Sequence, residues 1–351
     1  MKKLAMIGCG GIGEYHLEHF VKYDDVELVG FCDIIESRAQ AFAEKAGRGA
    51  AFTCYKAMYD AVAPDMVFIC VPPTQHGDIE FETIRRGIHL FVEKPVALCL
   101  DLAKQIRDAI ETAGLVSAVG FQLRYDTLND AVKAHINEHE VIYIDCSRMG
   151  GVPGAPWWKS RALSGGQIVE QTIHQFDTIR YVYGEPESVF TMGTRGFVKG
   201  IPDFDTEDAS ATVIKFKSGA LGVVATGCYA EKGDAFDSKV VFSAADSRVE
   251  FQLASKVSIY GAAPRADVES AEDATVIKGD GGLRATGDGP DIYTCTVDYG
   301  TICDRIFVDA VISGDKSKIR SPYSDAVKTL AFTLACNESM DTKLPVTVDF
   351  S

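Results

Sequence analysis

Three glycines in fixed spacing, Gly8, Gly10 and Gly13, constrain this chain more than any other feature. They follow a short apolar run, Leu4 to Ile7, long enough for a buried strand. Ile12, Leu17, Phe20 and Val21 then recur at roughly helical spacing, and a second apolar strand, Val26 to Cys32, ends in Asp33. Each part has a mechanical reason. Gly8 allows a tight turn, Gly10 removes a side chain where a pyrophosphate must approach, and Gly13 lets the helix pack closely on the strand. The helix N-terminus offers free N–H groups to phosphates. Asp33, about 20 positions after Gly13, can accept hydrogen bonds from a ribose. A lone G-x-G-x-x-G is weak, but here strand, helix and acid all fall where dinucleotide binding needs them.

The same alternation continues. Glu36 to Ala46 reads as a helix, Ala51 to Thr53 as a short strand, and Met66 to Val71 as a buried one stopped by Pro72 and Pro73. His76 to Arg86 is the next helix, Ile88 to Val92 the next strand, Asp101 to Ala113 a helix and Leu115 to Phe121 a strand. This predicts a doubly wound parallel sheet over 1–122, with ligands at the C-terminal ends of its strands. Lys94 lies at such an end, in Glu93-Lys94-Pro95. It reads either as a surface lysine or as a proton-exchanging group beside a nicotinamide. Arg38 reads either as a solvated helix charge or as a contact to the adenine or a 2′-phosphate.

A second domain is expected over 123–351, as 351 residues suggest about two. Trp157, Trp158 and Lys159 close a Gly/Pro-rich loop and read as core packing or as a pocket wall. The run from Ile168 to Val182 predicts one helix with Glu170, His174 and Asp177 on a single face. A general base with carboxylate neighbours suits that face better than a structural histidine or a metal site, and no metal is expected. After Gly184 the chain turns β-rich, with strands predicted at 188–194, 209–216, 220–226, 239–243, 249–253 and 257–260. Residues 262–290 read as a long loop, and helices return at 298–313 and 323–338, the latter packing back towards the domain junction.

The formal charge of −15 argues against nucleic acid or an anionic membrane as partner. No stretch approaches the ~18 apolar residues of a membrane span. The opening Met1-Lys2-Lys3 is followed too soon by glycines, Glu14 and His16 for a signal peptide. Ten scattered cysteines, none in C-x-x-C, read as reduced thiols of a cytoplasmic protein.

With Gly8-x-Gly10-x-x-Gly13, Asp33, Pro72-Pro73-Thr74-x-His76, Glu93-Lys94-Pro95, and Gly165-Gly166 leading to His174-x-x-Asp177, the sequence resembles the glucose-fructose oxidoreductase, inositol dehydrogenase and rhizopine-catabolism family. The resemblance implies an N-terminal Rossmann domain and a C-terminal α/β domain with a large, mostly antiparallel open sheet, which in this family often joins subunits into a homodimer or homotetramer. It implies NAD as cofactor, with NADP the alternative, and a sugar, cyclitol or related polyol as substrate. The expected cofactor residues are Gly8, Gly10, Gly11, Ile12, Gly13, Asp33, Arg38, Cys70, Pro72, Pro73, Thr74, His76, Glu93, Lys94 and Gln122. Lys94 and His174 are implied to flank the reacting carbon, with Glu170 beside them. Arg124, Trp157, Trp158, Lys159 and Gln171 are the expected substrate residues. The family usually has Asp and Gly where this chain has Glu170 and Thr172, so the acid reaches one methylene further. The family also includes NAD-holding glycosidases and cofactor-binding regulators, and both remain alternatives.

Overall fold

β1 (Lys2–Ile7) is the centre of a six-stranded sheet, and its last four residues are buried. The computed structural model describes residues 1–261, 274–277, 290–295 and 297–351. Helix α1 (Gly11–Phe20) crosses from β1 to β2 (Val26–Cys32), and α2 (Glu36–Ala46) carries the chain to β3 (Ala50–Phe52). Helix α3 (Tyr55–Val62) then returns it to the other side of β1 as β4 (Met66–Ile69). Helices α4 (Asp78–Arg85) and α5 (Leu100–Ala113) flank β5 (His89–Val92), and β6 (Ser117–Val119) forms the edge. The order β3-β2-β1-β4-β5-β6 is parallel throughout. Strands covered by helices on both faces must be apolar throughout, which is why β4 reads M-V-F-I with every residue buried.

The unit built on this sheet comprises Met1–Phe121 and also Gly300–Lys328. The second domain is expected over 123–351; within that range the segment 300–328 groups with this unit instead. Two interactions fix the returning segment. Phe307 sets its ring edge-on to the stacked pair Phe68 and Phe91, whose centroids are 4.4 Å apart. Val119 donates its N–H to the Ser321 carbonyl at 2.8 Å, and the Ser321 hydroxyl donates to the Val119 carbonyl at 2.7 Å. The edge of β6 is thereby covered, as an exposed strand edge otherwise invites pairing with other chains.

The second unit, Gln122–Tyr299 with Thr329–Ser351, is built on a ten-stranded sheet. Its first elements are α6 (Leu128–Ile136), β7 (Val141–Gly150), α7 (Arg161–Ser164), α8 (Gln167–Glu170) and α9 (Ile173–Val182). Strands β8 (Pro186–Thr194), β9 (Ala209–Phe216), β10 (Leu221–Cys228), β11 (Asp237–Ala244), β12 (Arg248–Gln252), β13 (Lys256–Tyr260), β14 (Ala274–Ile277) and β15 (Asp291–Cys295) follow. The chain closes with α10 (Tyr299–Ser313), α11 (Tyr323–Thr342) and β16 (Val346–Thr347). The order is β14-β15-β13-β12-β11-β7-β10-β9-β8-β16, antiparallel except for the β7–β10 pair. Alternation in β9 buries Ser210, Thr212, Ile214 and Phe216 while Ala211, Val213 and Lys215 face out. The covered face packs Val132 of α6, Phe176 and Ile179 of α9, and Phe332 of α11 into one core.

Two expectations change here. Four residues of the stretch read as loop form β14, while the rest of that stretch, 262–273 and 278–289, lies outside the described residues. The single helix expected from Ile168 to Val182 is broken between α8 and α9. The Gln167 carbonyl accepts the N–H of Thr172 at 2.8 Å and its hydroxyl at 3.1 Å, which diverts the backbone from the regular i−4 ladder. Glu170 and His174 therefore do not share one continuous helical face.

Candidate functional site

The glycine loop has the geometry its spacing requires. Gly8 has φ +90°, and a Cβ there would fall 2.1 Å from the Cys70 carbonyl oxygen. A Cβ on Gly13 would fall 2.3 Å from the Gly8 oxygen, so strand, turn and helix close on one another only with hydrogens at both positions. Gly10 and Gly11 differ: a Cβ on either meets nothing within 4 Å. They border open space in front of the N-terminus of α1, where backbone N–H groups lack intrahelical acceptors and Ile12 is partly exposed. Such a cradle fits a dinucleotide pyrophosphate. Asp33 directly follows β2 and accepts N–H groups from Cys9 at 2.9 Å and Ile35 at 2.8 Å, one on each oxygen. Arg38 stands exposed on α2.

The exits of β4 and β5 carry the next residues. Pro72 leads into a single 3-10 turn, Pro73–Gln75, with Thr74 exposed. His76 is buried, its Nδ1 2.6 Å from Glu80, while its Nε2 has no hydrogen-bond partner. Lys94 is half-buried and donates its backbone N–H to Glu93 at 3.2 Å. Glu93 is buried, and a Cβ on Gly120 would overlap its carboxylate, so that glycine clears its place.

Glu93 has a partner that sequence reasoning missed. His16, fully buried on α1, reaches Glu93 through Nε2 at 3.0 Å and Asp304 of α10 through Nδ1 at 2.8 Å. His19 shares Asp304 at 2.7 Å. Burial alone would lower the His16 pKa, but the charge and hydrogen bond of Asp304, then those of Glu93, push it up to about 10. The available signal was a histidine three residues after Gly13, on the face that α1 turns to the sheet.

The second unit holds a cavity of about 470 Å³ lined by Gln122, Gln171, His174, Gln175, Arg148, Asp237, Gln252 and Tyr299, among others. The expected residues Gln122, Gln171 and His174 are brought together here. Gln175 Oε1 is buried without a hydrogen-bond partner. Arg124, Trp157, Trp158 and Lys159 are not in this wall. Arg124 is buried in a bidentate pair with Asp177, at 2.7 and 2.5 Å, and Thr329 donates to the same carboxylate. Its guanidinium is a structural clamp, and Asp177 belongs to it rather than to His174. Trp158 is fully buried against Phe204, and Lys159 donates to the Pro202 carbonyl at 2.8 Å. Glu170 is buried at the end of α8.

A family model described as an oxidoreductase family with an NAD-binding Rossmann fold matches residues 2–121, and the GFO/IDH/MocA C-terminal domain model matches 139–251. The chain belongs to the GFO/IDH/MocA oxidoreductase family. Among curated GFO/IDH/MocA relatives, myo-inositol 2-dehydrogenase of Thermotoga maritima is 30% identical over 63% of this chain and 67% of its own length. D-glucoside 3-dehydrogenase of Escherichia coli K12 is 30% identical over 56% of this chain and 58% of its own length. The match thus spans about three-fifths to two-thirds of the length of these two relatives. A solved levoglucosan dehydrogenase, in complex with NADH and levoglucosan, covers 100% of both chains with a TM-score of 0.82 at 17% identity. At that identity the likeness speaks for the fold.

Proposed function

We propose that this GFO/IDH/MocA protein is an NAD-dependent dehydrogenase of a sugar, cyclitol or related polyol. The observation that carries the reading is the cavity, an open pocket lined by His174 and four carboxamides, those of Gln122, Gln171, Gln175 and Gln252. Carboxamides donate and accept at once, which suits vicinal hydroxyls. The relatives named for inositol and glucoside dehydrogenation point the same way. NAD bound at the glycine loop supplies the hydride acceptor. Gly10, Gly11 and the N-terminus of α1 hold the pyrophosphate, and Asp33 holds the adenosine ribose. Lys94 and His174 handle the proton of the reacting hydroxyl, and a charged Lys94 polarises the carbonyl in reverse. A panel of sugars and cyclitols, followed by absorbance of reduced cofactor, tests this reading. No substrate-dependent NADH with any member would reject it.

NAD is expected to bind more tightly than NADP, because Asp33 would hydrogen-bond a free ribose and repel a 2′-phosphate. Hydrogen bonds to a charged group are worth about 1.5–3 kcal/mol, so Asp33→Ala should weaken NAD binding about 10- to 100-fold. Fluorescence titration with both cofactors checks this. Tighter NADP binding, indifferent to Asp33→Ala, would remove Asp33 from the ribose site.

The outward face of the large sheet supports a homodimer or homotetramer. Tyr143, Leu221, Val213 and Met192 run across β7, β10, β9 and β8 on that face and are 40–67% exposed. Contiguous apolar exposure of this kind marks a contact surface. Light scattering should give an oligomer at micromolar concentration and a monomer for Leu221→Asp. A monomeric wild type would refute the assignment. Ten free thiols support a reducing, cytoplasmic setting, and no helix among the described residues is long and apolar enough to cross a membrane.

A further inference from the structure

We infer that Arg148 makes the cavity selective for a polyol bearing an anionic group, a carboxylate or a phosphate. The inference rests on the dehydrogenase reading of the same cavity. Arg148 lies on β7, near the middle of the sheet, and is one of the residues that line the cavity. Its place is built: a Cβ on Gly150 would come within 2.7 Å of its Nη1, so the glycine clears room for it. Its Nη1 donates to the Gly227 carbonyl at 3.5 Å and to the Cys228 sulfur, a weak acceptor, at 3.3 Å. No carboxylate among the described residues forms an ion pair with it. The acid in the same wall is already engaged, since Asp237 accepts from the Ser147 hydroxyl and lies 3.5 Å from Lys239. Glu170 and Glu207 act on the Cys228 thiol from the α8 side without pairing with Arg148.

A half-buried guanidinium with five donors, whose acceptors are one distant carbonyl and one weakly accepting thiol, has capacity for an anionic ligand. The carboxamides of the wall serve neutral hydroxyls equally well, so they do not explain why a cation stands among them. An anionic oxygen pair would complete the fork, and the neighbouring glutamines would take the hydroxyls. A neutral sugar would leave the guanidinium without its acceptor.

The test is calorimetric binding to the full chain loaded with NADH, using D-glucose, D-glucuronate and D-glucose 6-phosphate as probes. One charge-assisted contact predicts about 10- to 100-fold tighter binding of an anionic probe than of D-glucose. The better of the two anions tells a carboxylate site from a phosphate site. Arg148→Gln should erase the preference, and Arg148→Lys should restore part of it, since lysine keeps the charge and loses the fork. Equal binding of all three probes, or a preference untouched by Arg148→Gln, would overturn the inference while leaving the polyol reading intact. Binding of none would count against both.

Discussion

His174→Ala and Lys94→Ala are each expected to lower kcat by about 10²- to 10⁴-fold, the usual cost of losing a positioned acid–base group. The loss should fall on kcat more than on KM, because proton transfer matters most in the transition state. His174 lines the cavity of the second unit, whereas the glycine loop belongs to the first. NADH affinity should therefore survive His174→Ala. The competing interpretations give different numbers. A packed histidine would cost stability and spare turnover, and a surface lysine would cost neither. Glu170→Gln separates two further cases. It should be mild if Glu170 only orients the histidine, and as severe as His174→Ala if the two share a proton. The break at Thr172 removes the simple helical argument for sharing. Near-normal kcat in both alanine variants, measured on any accepted substrate, would mean that the roles are misassigned.

The largest stability effect is expected at His16. Its imidazolium sits between two carboxylates in a fully buried position, and removing one member of such a group leaves charge stranded. Breaking a buried pair costs roughly 3–5 kcal/mol, which for a unit of this size lowers Tm on the order of 10 °C. His16→Gln, followed by thermal unfolding, measures this. The pH dependence provides a second readout. The His16 pKa is raised from 6.5 to about 10 in the folded chain, so the folded state holds the proton more tightly. The stabilisation is whole below about pH 6.5 and is lost as pH rises through about 10. Wild type should therefore lose stability across that window, and His16→Gln should lose less of it. Equal slopes would show that His16 is not the charged group. Because Glu93 adjoins Lys94, the variant should also raise KM for NADH oxidation if the carboxylate orders that loop.

What the sequence made legible is local. A glycine spacing encodes a turn and a close approach within a few residues, and Gly8 and Gly13 form the contacts their spacing requires. Strand alternation is likewise local, and β9 spans Ala209–Phe216 as its pattern predicts. The interactions that periodicity and spacing do not encode involve partners far along the chain. Arg124 looked like a substrate residue because nothing nearby announces Asp177, 53 positions away. His16 enters the sequence reading only as a residue that interrupts the N-terminal apolar run, because its counterion is 288 positions away. The tryptophans were ambiguous because the same indole serves a core or a pocket, and only Phe204 decides for Trp158. The helix break at Thr172 depends on which donors one carbonyl collects, which periodicity does not encode.

The closure of the β6 edge by Ser321 bears on how the protein is made. A ribosome releases the six strands first and the segment that covers their edge some two hundred residues later. During that interval β6 presents unpaired backbone groups, and His16 and Glu93 lie buried or exposed without Asp304. The first unit, begun first, is thus completed only after nine of the ten strands of the other sheet, β7 to β15, have been translated. Long-range closure of this kind is slow, and an open strand edge is prone to association while it waits. Shielding the N-terminal strands until residues 300–328 arrive would shorten that exposure.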